Sequence, residues 1–78
     1  MGRTDKLIGK MHRSLSFIRF GEVETLLRRM GFVLFNSRGS HRTFHHADGR
    51  VLTIVRPYGR HKTCHPEDVR KLLAVLEL

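Results

Sequence analysis

A single cysteine, Cys64, is the only thiol in the chain. One thiol forms neither an internal disulfide nor a cysteine-based zinc site, so nothing in the sequence points to secretion. Long apolar runs are missing as well. None approaches the roughly 20 residues that a membrane-spanning helix requires, and the piece LSFI near the basic N-terminus is too short for a signal peptide. The chain opens Met-Gly, yet Lys6 stands where a myristoylation signal carries Ser or Thr. The cytoplasm is the expected location. Repeats, low-complexity tracts and linkers are also lacking, and 78 residues suit one domain over 1–78, with 1–17 as a partly helical extension. A domain of this size buries only about 60% of the surface that its unfolded chain exposes, so its core is thin.

Acids are scarce too, at 7 against 15 Lys plus Arg, which gives a formal net charge of +8. The imbalance is local. Between Asn36 and Lys62 stand Arg38, Arg42, Arg50, Arg56, Arg60 and Lys62 against one acid, Asp48. A stretch of this kind attracts polyanions and releases their counterions. Nucleic acid is the leading partner class, and an acidic protein suits the same surface.

What is present is hydrophobic periodicity. Residues 4–13 form a short helix candidate with Leu7, Ile8 and Met11 on one side, weakened by Gly9. In FGEVETLLRRMG (20–31), Phe20, Val23, Leu26, Leu27 and Met30 recur at helical spacing. Glu22 and Glu24 near its start and Arg28 and Arg29 near its end suit the helix dipole, and Gly31 supplies the stop. Three strand candidates follow: 32–37, 40–46 and 50–56, with Arg38-Gly39 as the first turn. A two-residue loop at Asp48-Gly49 would set Phe44 opposite Thr53. A three-residue loop, 47–49, sets it opposite Leu52 and puts Gly49 where a left-handed residue belongs, so it is preferred. After a polar loop at 57–65, Pro66 opens a helix whose stripe is Val69, Leu72, Leu73 and Leu76. The expected class is α+β: an α-β-β-β-α order, a three-stranded antiparallel sheet with helices on one face, and an extra N-terminal helix.

The stretch RGSHRTFHH (38–46) carries the chemistry. If Phe44 points inward, His41 lies an odd number of residues away and points to the open face with Thr43 and His45. His46 shares the Phe44 side. His41 and His45 stand roughly 13 Å apart on an extended strand at about 3.3 Å per residue, too far to ligate one ion. No metal or other cofactor is expected. Metal-free cleavage of RNA needs a group that moves the 2′-hydroxyl proton, plus donors for the phosphate oxygens. His41 suits the first role. Arg38, Arg42 and the backbone of Gly39 and Ser40 suit the second, and the basic loop Arg60, His61 and Lys62 offers further RNA contacts. The plain alternative for His41 is a surface histidine beside a turn.

Three segments, EVETLLRRMGF (22–32), RGSHRTFHHADGR (38–50) and HPEDVRKLL (65–73), resemble the HicA mRNA interferase toxins. The most specific element is Gly39-Ser40-His41 followed by the apolar Phe44 and then His46. The resemblance covers about residues 18 to 77. It implies a fold similar to a double-stranded RNA-binding domain, an endoribonuclease that cuts mRNA and inhibits translation, and neutralisation by a HicB-like antitoxin covering the His41 face. The family's active-site histidine falls on His41. Many members carry a Val-Pro-x-His type segment near the third strand, and Val55-Arg56-Pro57-Tyr58-Gly59-Arg60-His61 departs from it, so the resemblance assigns His61 no role. A non-catalytic RNA-binding module of the same fold is the alternative, and a binding partner for an acidic protein is a third. Oligomeric state is open.

Overall fold

Residues 2–57 and 63–78 are described in a computed structural model of the chain. The elements run α1 (Arg3–Arg13), α2 (Phe20–Arg29), β1 (Phe32–Arg38), β2 (His41–His46), β3 (Val51–Val55) and α3 (Pro66–Val75). The strands pair antiparallel in the order β1-β2-β3. The architecture is α+β, α-β-β-β-α with an additional N-terminal helix, as the sequence pattern leads one to expect.

The second hairpin follows the parity argument. Phe44 is buried opposite Leu52, and the loop is residues 47–49, with the His46 N–H donating to the Arg50 carbonyl at 2.9 Å. Gly49 takes a φ of 96°.

The first hairpin departs from expectation. Its turn is Gly39-Ser40 rather than Arg38-Gly39, because β1 runs one residue further and Arg38 pairs directly with His41. Gly39 has a φ of 58°. A glycine first in a two-residue turn is the type II′ pattern, whose twist matches that of the flanking strands. This tight turn creates a conflict further along. Carried on without interruption, its register would set Phe35 against Phe44 and turn Phe32 to the opposite face. A bulge between Leu34 and Asn36 resolves it: Phe35 is the extra residue, Leu34 pairs with Phe44, and Phe32 pairs with His46. Phe32 is thereby buried with Phe44, while the rest of β1 is exposed.

Two helices cover one face of this sheet. The α2 helix packs over β1 through Val23, Leu26 and Leu27, and α3 packs over β3 through Val69, Leu72 and Leu73. The connector after α1 is less idle than it looks. Ile18 is fully buried, its carbonyl accepts the Cys64 N–H at 2.7 Å, and Arg19 pairs with Thr63. The α1 helix lies against α2, with Met11 fully buried and Leu7 and Ile8 packed beside it.

Glu22 ties the two helices together. Its carboxylate accepts the Arg19 N–H at 3.0 Å, closing the start of α2, and meets Lys10 Nζ of α1 at 2.9 Å. Partial burial disfavours its charge, but the Arg19 N–H and the Lys10 ammonium outweigh that and hold it below the ordinary carboxylate value of 4.5. A carboxylate depressed in the folded state adds stability above its unfolded pKa, and that contribution disappears as pH falls through the folded value. Urea unfolding at a series of pH values below 4.5 is therefore expected to show a shallower loss of stability for Glu22→Gln than for the native chain. An identical slope would remove Glu22 from the acid response.

Gly31 ends α2 with a φ of 90°, and a Cβ there would stand 2.9 Å from His46 Nε2. Conformation and contact both disfavour a side chain. Gly31→Ala is expected to lose about 1–3 kcal/mol in denaturant unfolding. Gly21→Ala, within α2 and with nothing among the described residues within 4 Å of the new carbon, is expected to gain a few tenths up to about 1 kcal/mol. Equal stabilities for the two variants would contradict this account of Gly31.

Candidate active site

Burial of Phe44 leaves the odd positions of β2 on the uncovered face. His41 opens the strand there, exposed, directly opposite Arg38 on one side and Val55 on the other. Residues paired across neighbouring strands project to the same face, so the Arg38 and His41 side chains stand side by side. Next along this face, the Thr43 and Thr53 hydroxyls lie 3.0 Å apart. Beyond them His45 is stacked on Phe35, ring centroids 4.0 Å apart and planes 7° from parallel.

The turn preceding His41 is braced from two directions. Arg42 Nη1 donates to the Gly39 carbonyl at 2.6 Å, and the Arg56 N–H donates to the Ser40 carbonyl at 2.7 Å. Among the described residues, no atom lies within 4 Å of where a Gly39 Cβ would be, apart from its chain neighbours. Arg42, read from the sequence as a phosphate contact, thus also holds the loop in shape. It uses one of the five N–H donors of a guanidinium for this.

The remaining histidines of the stretch separate as parity requires. His46 lies on the side of Phe44, against the Phe32 ring and Gly31, and its Nδ1 accepts the Asp48 N–H at 3.0 Å. It anchors the β2–β3 loop. Arg50, counted in the basic excess, is engaged structurally. It sits 5.3 Å from the Phe32 ring centroid, its Nε donates to Asp48 and its Nη1 to the Val75 carbonyl at the end of α3. The Arg50 N–H and guanidinium hold Asp48 below the usual carboxylate range. Arg60, His61 and Lys62 lie outside the described residues. Among the described residues, no three His, Cys, Asp or Glu side chains converge, and no helix is long and apolar enough to cross a membrane.

The family model described as the HicA toxin of bacterial toxin–antitoxin systems matches residues 20–78. The chain belongs to the HicA toxin family. The match takes in every strand, α2 and α3, and the Gly39-Ser40-His41 turn, and it leaves α1 outside. Searches of curated proteins and of solved structures gave no significant match. A HicA toxin works within a toxin–antitoxin pair, so an antitoxin partner comes with the family.

Some contacts around this candidate site were not legible from the sequence. Asp68 reads as an ordinary acid at the positive end of α3. It is in fact buried, and its Oδ2 accepts the Val55 N–H at 3.0 Å, fixing the end of β3 beside His41. The Phe35–His45 stack depends on the bulge, which leaves no local pattern. Cys64 is no nucleophile. Burial first, then the charges of Asp68 and Glu22, push its thiol up to about 12. Alkylation by iodoacetamide at mildly alkaline pH is expected to be slow in the folded protein and to accelerate strongly in denaturant. Rapid labelling without unfolding would contradict the burial of Cys64.

Proposed function

We propose that the chain is an endoribonuclease toxin that cuts mRNA, with His41 as the proton-transfer group. One observation carries this reading. His41 is exposed immediately after a braced glycine turn, with Arg38 beside it on the same face. Membership of the HicA family supports it.

In the proposed reaction the ribose 2′-oxygen attacks the adjacent phosphorus and the bond to the 5′-oxygen breaks. The 2′-hydroxyl loses its proton and the leaving oxygen gains one. His41 serves one of these transfers as general base or acid. Arg38, Arg42 and the backbone of Gly39 and Ser40 meet the phosphate oxygens as charge builds on them. The products carry a cyclic phosphate and a 5′-hydroxyl. No step calls on a metal ion or another cofactor.

The partner that restrains this activity would be a HicB-like antitoxin lying over the His41 face. Val33, Phe35 and Val51 surround His45 on that face, exposed at 68%, 69% and 52%. A cluster of exposed apolar side chains of this kind suits a protein partner.

A non-catalytic RNA-binding module needs the same basic surface, and cleavage separates the two readings. Purified protein is expected to cut single-stranded RNA in EDTA, with the rate falling about 10²–10⁴-fold in His41→Ala. Growth arrest on expression is expected to be relieved by the same substitution. Intact RNA, or undiminished cutting by His41→Ala, would sink the mechanism.

A further inference from the structure

We propose that the groove between α1 and α2 is a second binding site for the RNA strand, taking the phosphates that flank the bond held at His41. The inference rests on the ribonuclease reading and extends it to substrate length.

The groove has a volume of about 720 Å³. It is lined by Arg3 and Lys6 of α1, by Arg19 and Arg29 at the two ends of α2, and by Arg56 just after β3. Two acids also reach it, but each faces a cation: Glu22 lies 2.9 Å from Lys10, and Glu24 lies 3.7 Å from Arg28. The balance at the groove is therefore strongly positive. Its floor includes the apolar Leu7 and Phe20. Spaced cations above an apolar floor suit a single nucleic-acid strand, which presents phosphates on one side and base faces on the other.

Position favours RNA over an acidic protein as the occupant. Arg56 is among the residues that line the groove, and its N–H donates to the Ser40 carbonyl at 2.7 Å. The same residue thus borders both the groove and the turn before His41, and a strand running from the His41 face to the groove would round the edge of the sheet at Arg56. The walls are also preformed. Met11 is fully buried, Lys10 bonds Glu22, and Arg29 Nη1 donates to Thr4 Oγ1 at 3.0 Å. Little ordering is left for the RNA to impose. Because α1 lies outside residues 20–78, one wall of the groove comes from beyond the family region.

The test neutralises the exposed α1 wall with Arg3→Gln/Lys6→Gln, two changes that keep good helix formers. Binding is measured in a His41→Ala background with a fluorescent unstructured RNA long enough to span both regions. Losing two phosphate contacts is expected to reduce the slope of log affinity against log salt by about 1.4. With His41 intact, the double variant is expected to raise KM for the long RNA and to leave turnover of a dinucleotide unchanged. An unchanged salt slope, or equal losses on long and short RNA, would overturn the groove. So would an unchanged RNA slope together with weaker binding of polyglutamate, which would give the groove to an acidic protein. Cleavage and binding fail separately: a length-dependent salt slope without cutting sinks the ribonuclease reading alone, and cutting without length dependence sinks the groove alone.

Discussion

Phe44 sits in the middle of the central strand, and the open face of the sheet is arranged by its burial. One ring driven under two helices sets which positions of β2 meet water. Leu52 must lie opposite it, which selects a three-residue loop at 47–49. His46 must share its side, where it packs on Gly31 and Phe32. His41 must face away, next to Arg38. The catalytic geometry proposed here is thus a by-product of core packing. A slip of one residue would bury His41 and expose Phe44.

That constraint has to be reconciled with the tight Gly39-Ser40 turn, and the bulge at Phe35 does so. Without it, the turn and the core would demand different registers along β1. With it, Phe32 joins Phe44 in the core, and Phe35 is released to stack on His45. The turn is stiffened by Arg42 and by the Arg56 N–H, while Asp68 fixes the end of β3 from below. The charges divide into two groups. Arg50 and the Lys10–Glu22 pair hold the fold together, whereas Arg38 stands exposed beside His41.

The helices, the strand order and the outward turn of His41 were legible because each depends on local periodicity or on strand parity. Phe20, Val23, Leu26 and Leu27 announce α2, and Pro66 announces the start of α3. The boundary of the first turn was off by one residue, since Ser40 is as compatible with a strand as with a loop. The bulge was invisible because it answers a conflict between two distant requirements, the turn and the burial of Phe32. Ile18 and Asp68 were missed as anchors for a similar reason: their partners, Cys64 and Val55, lie far away in sequence. Arg42 and Arg50 counted as bulk positive charge until their carbonyl partners were visible.

Attack by the ribose 2′-oxygen is the step on which the whole functional reading turns. It is tested most directly with an RNA carrying a single 2′-deoxy nucleotide at the cleaved position. That bond should stay intact while binding persists and cutting continues at unsubstituted sites. Cutting at the substituted position at the ordinary rate would show that the 2′-hydroxyl takes no part, and would remove the role assigned to His41.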